Sequence, residues 1–260
     1  MKKISVVENR PKLVDEIEPR PGKNDLILEL LACGICGSDL GNIFGKSCKC
    51  TDRIGHEISG RVIEIGNQVK NFIPGEIVII NHHCPCLKCH YCIHGNETMC
   101  EKFTEEIEPC GLAEKFKISN WIIEKKGIFK IPEKISFNEA TLIEPLACCL
   151  RSWKKIHVQK NDSIMIFGFG LIGIFHSVIA KQKGLKLLCA NPDIIVDRGD
   201  KREWCAGAVA QAYGEMGGTS LYLGKPHAPI YDLARRRLSA IRPNIPDDRI
   251  LAIGDGITTD

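Results

Sequence analysis

CPCLKCHYCIHGNETMC, residues 84–100, sets Cys86, Cys89, Cys92 and Cys100 in the spacing C-x2-C-x2-C-x7-C. A structural zinc ion takes four soft ligands about 2.3 Å away, arranged as a tetrahedron. Two-residue gaps let one backbone knuckle aim successive thiolates at a common centre, and the longer gap brings the chain back as the fourth corner. The alternative is four unrelated buried cysteines, because free Cys packs as a small hydrophobe. The spacing favours metal, and His82, His83, His90, His94 and Gly95 stud the same stretch. One point stays open: Cys84 offers a competing thiolate two residues before Cys86.

Composition bounds what surrounds this lobe. The chain has 260 residues, 44% of them hydrophobic, enough to bury a core in one large domain or two small ones. Its 14 cysteines raise a secreted disulfide framework, but the opening MKKISVVENR has no apolar signal core. Reduced thiols, bound metal and a cytoplasmic location are the expectation. A net charge of +3 with scattered Lys gives no footprint for nucleic acid. Ser163 to Ala180 carries no formal charge, yet it contains Gly168, Gly170, Gly173 and His176. A buried strand, turn and helix account for it better than a membrane span.

The expected fold class is α/β with a β-barrel. Residues 1–150 read as short β-runs broken by turn residues, such as DLILELLACGIC, HEISGRVIEIG and EIVII, which suggests a compact barrel with inserted loops. LIEPLACCLRSWKKI then has helical spacing, with Pro145 in a first turn. Next, Ile164–Phe167 reads as a buried strand running into Gly168-x-Gly170-x-x-Gly173 and an apolar helix to about Gln182. Such glycines allow a tight turn and close backbone approach to a pyrophosphate at the helix N-terminus; the alternative is a glycine-rich packing turn. Asp193 lies about twenty residues further on, where an acid would hold ribose hydroxyls.

A second constellation precedes the cysteine lobe: Cys36 in CGICGSDL, His56 and Glu57 in RIGHEISG, and Glu144 in IEPLA. Cys, His and carboxylate together can hold a catalytic zinc with one position open. Read singly, they are a core cysteine, a strand histidine and two surface charges.

Taken in order, CGICGSD, GHE, the four-cysteine lobe, the EP dipeptide and GFGLIG resemble the zinc-dependent medium-chain dehydrogenases, nearest the polyol and threonine branch, over residues 3–185. The resemblance implies a GroES-like catalytic domain over 1–150 and the start of a Rossmann nucleotide-binding domain over 151–186. It further implies two zinc ions per chain, NAD or NADP, and a small-molecule alcohol or polyol as partner. Cys36, His56 and either Glu57 or Glu144 would hold the catalytic zinc, and Cys86, Cys89, Cys92 and Cys100 the structural one. Ser38 would pass the alcohol proton and Asp39 would orient His56. The sequence departs at Gly41, where that family usually carries a relay histidine. It leaves oligomeric state open.

From Leu187 onward the text changes. LLCANPDIIVDRGDKREWCAGAVAQAYGEMGG, GKPHAPIYDLARRRL and DDRILAIGDGITTD resemble the C-terminal part of a haloacid-dehalogenase-type hydrolase over 187–260. That resemblance implies Lys225 steadying a phosphoryl group, and Mg²⁺ at Asp255 with Asp260 assisting, where ILAI reads as a buried strand. The D-x-D nucleophile motif of that family is absent from the sequence, which argues against a Mg²⁺-dependent phosphatase. Asn191-Pro192-Asp193 belongs to this text, so the distance of Asp193 from Gly173 reads as coincidence. Residues 1–186 hold 21 Lys and 5 Arg, against 2 Lys and 7 Arg in 187–260, a switch that marks a join near Gly184–Leu187 by fusion, rearrangement or assembly error. The sequence therefore reads by lineage as an oxidoreductase, with its nucleotide domain cut short. The alternative is a zinc-binding remnant without turnover.

Overall fold

The structure is a computed structural model describing residues 1–45, 54–102, 111–159, 162–168 and 170–251. The chain forms two compact units, Met1–Ala147 and Cys148–Asp260.

In the first unit, β1 (Lys2–Val7) and β2 (Arg10–Asp15) form an antiparallel hairpin. Its two turn residues, Glu8 and Asn9, have φ of 54° and 55°, the primed geometry whose twist matches paired strands. Then come β3 (Leu26–Gly34), α1 (Gly37–Phe44), β4 (Glu57–Ile65), β5 (Ile77–Ile80) and α2 (His90–Ile93). After these follow β6 (Lys115–Ile118), α3 (Asn120–Glu124), β7 (Ile128–Lys130) and α4 (Phe137–Ala140). α5 (Ile143–Ile156) carries the chain into the second unit, with Pro145 in its first turn.

The sheet has five antiparallel strands in the order β6-β3-β4-β5-β7, and a bridge between Lys3 and Ala113 ties the hairpin to it. Its apolar face closes over Leu26, Leu28, Ile58, Val62, Val78, Phe116 and Ile118, all buried. Each such side chain contributes about 1.5–3 kcal/mol of transfer free energy. Among the described residues these strands form a sheet with β6 and β7 at its ends, where the sequence reading expected a barrel. Leu30 faces Gly60 and Ala32 faces Ser59, so Leu31 is an extra residue on β3. This bulge bends the strand just before it delivers Gly34 opposite Glu57.

The second unit contains α6 (Leu171–Gln182), β8 (Leu187–Cys189), the antiparallel pair β9 (Ile195–Arg198) and β10 (Lys201–Trp204), α7 (Ala206–Glu215), β11 (Ser220–Tyr222) and α8 (Ala228–Ile241). β8 and β11 run parallel, and the chain between them includes α7. Tyr213 on α7 is buried and donates its hydroxyl to the Leu185 carbonyl at 2.7 Å.

Two sequence expectations fail here. Ile164–Phe167 is not a buried strand: among the described residues it pairs with nothing, and Phe167 is 90% exposed. A strand needs a neighbour to accept its ladder, and β8 instead pairs with β11. Likewise Ile250 and Leu251 lie outside any strand, with Leu251 exposed; the rest of ILAI, Asp255 and Asp260 lie outside the described residues. The uncharged run from Ser163 is not one helix, since α6 begins only at Leu171. No helix among the described residues is long and apolar enough to cross a membrane.

Candidate metal centres and glycine loop

Cys86, Cys89, Cys92 and Cys100 converge, with all four sulfur atoms within 4.8 Å of one another. Cys89 sits at the N-terminus of α2 and Cys92 within it, while Cys100 returns after a single 3-10 turn. The Sγ–Sγ separations are 3.9 Å for Cys86–Cys92 and 3.5 Å for Cys89–Cys92. A tetrahedron with zinc–sulfur bonds of about 2.3 Å has edges of about 3.8 Å, so the quartet fits the ion. Backbone N–H groups already point at the sulfurs: Cys86 donates to Cys100 Sγ at 3.2 Å, Cys89 to Cys86 Sγ at 3.3 Å and Lys102 to Cys100 Sγ at 3.4 Å. Such donors favour thiolate; the Lys88 N–H first, then that of Cys89, pulls Cys86 well below the usual thiol range. Burial, followed by hydrogen bonding to Cys89, holds Cys92 up instead. A cation removes this conflict among four crowded thiols. Cys84 is not a fifth member. Its side chain lies in the sheet core, where a Cβ on Gly127 would come within 2.3 Å of its sulfur.

The second cluster joins Cys36, His56 and Glu57, whose ligand atoms also lie within 4.8 Å of one another. The link from sequence to geometry is the β3–β4 register. Gly34 ends β3 opposite Glu57, which opens β4, so Cys36 just beyond one strand meets His56 just before the other. Asp39, 1% exposed on α1, braces the site: Oδ1 accepts from Gly55 N at 2.8 Å and Oδ2 from Cys36 N at 2.9 Å. Its Oδ1 also lies 3.4 Å from His56 Nδ1. Burial alone would raise the Asp39 carboxyl, but hydrogen bonds from His56, Gly55 and Cys36 outweigh it and hold the group below the usual range. The same hydrogen bond to Asp39 raises His56 to about 9. With Nδ1 engaged, Nε2 is the nitrogen left for a metal, the arrangement that fixes a ligating imidazole. Burial raises Glu57. Glu57 occupies a cradle that any side chain at position 34 would fill: a Cβ on Gly34 would stand 2.1 Å from Glu57 Oε2. A thiol, an imidazole and a carboxylate on three corners suit zinc with one position open.

Of the two carboxylates expected here, the structure places Glu57 in the cluster. Glu144, in the first turn of α5, is not one of the three converging groups, although its charge reaches Glu57. Ser38 is exposed in the first turn of α1. Sequence reasoning missed Gly34 and Gly55, and grouped His82 with the cysteine lobe rather than with His56. Gly55 has a φ of +84°, and a Cβ there would meet Leu112 at 2.8 Å. The His82 ring lies tilted against its neighbours, with its centroid 4.6 Å from that of His56 and 4.0 Å from that of His83. Burial, and then the neighbouring His83 and His56, push His82 down to about 3.

In the second unit, Gly168 has a φ of +89°, and a Cβ on Gly173 would stand 2.1 Å from the Gly168 carbonyl oxygen. Both positions therefore need glycine, and Gly170 caps α6. The loop lines a pocket of about 550 Å³ with Trp153, Ile164, Phe167 and His176. Trp153 donates to His176 Nδ1 at 2.7 Å. Asp193 does not line this pocket, and none of the described lining residues is acidic. The loop geometry fits a dinucleotide phosphate, while the carboxylate that should hold its ribose is not supplied there. Lys225 follows β11, and Gly224 packs against Ala190 and Pro192 just beyond β8.

Residues 22–133 match the family model of the alcohol dehydrogenase GroES-like domain, and the segment has that fold. The chain is 27% identical to L-idonate 5-dehydrogenase of Vitis vinifera, over 74% of this chain and 52% of that protein. It is 29% identical to D-xylulose reductase A of Aspergillus oryzae, covering 69% and 52% of the two chains. With L-threonine 3-dehydrogenase of Pyrococcus horikoshii it shares 28% over 82% and 61%. Among solved structures, galactitol-1-phosphate dehydrogenase from Escherichia coli superposes with a TM-score of 0.65 at 21% identity, covering 92% of this chain and 66% of that one. A zinc-binding dehydrogenase from Sinorhizobium meliloti bound to NADP gives 0.64 at 22%, over 89% and 64%. The chain spans about half the length (52%) of the first two curated relatives.

Proposed function

We propose that this chain is a zinc-dependent oxidoreductase that oxidises a secondary alcohol or polyol with NAD or NADP. The observation that carries this reading is the convergence of Cys36, His56 and Glu57 in the same compact unit as a complete cysteine quartet. Zinc bound to the first cluster would polarise an alcohol oxygen as a Lewis acid. The chain's own residues prepare that site. Asp39 accepts from two backbone N–H groups, keeps its charge, and orients His56 through Nδ1. Gly34 leaves room for Glu57. Ser38, two residues beyond Cys36, takes the alcohol proton; Gly41 leaves water to carry it onward. The quartet fixes the lobe, and Gly168, Gly170 and Gly173 meet the cofactor phosphates. Glu144 stands by as an alternative carboxylate. The relatives named as polyol and threonine dehydrogenases support this substrate class. Every described cysteine assigned as free fits a reducing cytoplasm.

The test is metal analysis of the purified chain together with reduction of NAD⁺ and NADP⁺ over a polyol panel. Two zinc ions per chain with turnover support the proposal; two without turnover leave a zinc-binding remnant; none refutes it.

A second reading concerns residues 187–260 alone. The parallel pair β8–β11 brings Asn191–Asp193 and Lys225 to the C-terminal ends of two strands, where open α/β sheets bind ligands. A haloacid-dehalogenase-like remnant joined near Gly184–Leu187, with Mg²⁺ at Asp255 and Asp260, is the alternative raised by the sequence, but the likeness to L-threonine 3-dehydrogenase over 82% of this chain does not favour it. The missing D-x-D motif denies it a nucleophile, so no phosphate release from p-nitrophenyl phosphate is expected.

A further inference from the structure

His82 Nδ1 is a buried polar atom with no hydrogen-bond partner among the described residues. Native proteins rarely leave such atoms unpaired, and each asks for an explanation. Its ring stands 4.6 Å from that of His56, yet His82 is not one of the three groups that converge as ligands. His82 therefore borders the metal cluster without belonging to it. Two neighbouring groups are already engaged: His56 Nδ1 faces Asp39, and both Asp39 oxygens accept backbone N–H groups. His82 thus supplies, beside the ligand set, a polar atom in need of a partner.

Building on the dehydrogenase reading, we infer that His82 is a specificity-determining residue that hydrogen-bonds a second hydroxyl of the substrate, adjacent to the reacting carbinol. An imidazole nitrogen can donate or accept according to tautomer, so it suits a hydroxyl, which does both. A site built to pair a hydroxyl strongly rejects an analogue lacking it, because the buried group is then left unpaired. The chain accordingly favours vicinal diols over monohydric alcohols of similar size. This is a positioning role; His82 donates no group to the chemistry.

The test uses the full zinc-loaded chain, with xylitol and 2-butanol as probes. Ring ¹⁵N signals are followed by long-range ¹H–¹⁵N NMR, and dissociation constants come from the same titrations. The expected result is that xylitol shifts the His82 Nδ1 resonance while 2-butanol does not. In His82→Phe, xylitol binding weakens about tenfold or more, 2-butanol binding is unchanged, and zinc content stays at the wild-type value. His82→Asn, which keeps a polar atom, recovers part of the xylitol affinity. An unmoved Nδ1 resonance, or xylitol binding to His82→Phe with wild-type affinity, overturns the inference while leaving the dehydrogenase reading intact. Absence of zinc from the Cys36 cluster overturns both, and metal analysis before titration distinguishes that outcome.

Discussion

Replacing Asp39 by Asn changes one atom's chemistry and almost no volume. The two carboxylate oxygens each accept a different backbone N–H, from Gly55 at 2.8 Å and from Cys36 at 2.9 Å. A carboxamide has one acceptor oxygen and one NH₂. Whichever way the amide turns, one of those N–H groups faces another donor. Leaving a buried donor unpaired costs about 1–3 kcal/mol, and turning the surviving bond from charged to neutral costs about 1 kcal/mol more. The sum is about 2–4 kcal/mol, or a fall in Tm of roughly 4–16 °C for a unit of this size. His56 also loses its anionic partner, so zinc at the Cys36 cluster should weaken by about 10–100-fold while the quartet keeps its ion. Thermal unfolding followed by circular dichroism, with zinc counted after dialysis against a weak chelator, reads both effects. Asp39→Asn melting within about 1 °C of wild type with two zinc ions retained would refute the reasoning.

Three further outcomes follow from the same geometry. Cys100→Ser should lower zinc content by one ion and destabilise the first unit, since structural zinc binding is itself folding free energy; unchanged zinc content by mass spectrometry under native conditions would contradict this. Gly34→Ala places a Cβ 2.1 Å from Glu57 Oε2 and should displace that carboxylate, costing the Cys36 cluster its metal but not the quartet, as measured by cobalt substitution and visible absorption. Tyr213→Phe removes the buried hydroxyl bond to Leu185 and leaves that carbonyl unpaired, so urea unfolding should show a loss of about 1–3 kcal/mol in the second unit.

The parts of the molecule written locally were legible in its sequence. The quartet lies within fifteen positions, and the helices at Ile143–Ile156 and Leu171–Gln182 end close to where their periodicity does. Cys36, His56 and Glu57 were legible as residue types, but the choice of Glu57 over Glu144 depends on which strand faces which. Spacing alone left Cys84 ambiguous; packing against Gly127 removes it from the metal set. Gly34 and Gly55 carry no side chain to signal a role, and their importance appears only once a neighbour comes close. The reading of Ile164–Phe167 as a buried strand failed for a related reason. Its apolar character is local, whereas burial requires a partner that the sequence of four residues does not name.

The pairing of Gly34 with Glu57 has a consequence for how the first unit reaches its native state. Strand side chains alternate between faces, so a slip of one residue between β3 and β4 would turn Glu57 to the opposite side and separate it from Cys36. Only one alignment assembles a thiol, an imidazole and a carboxylate around a single point. A metal ion bound there would stabilise that alignment alone, so zinc affinity and strand register would be linked quantities.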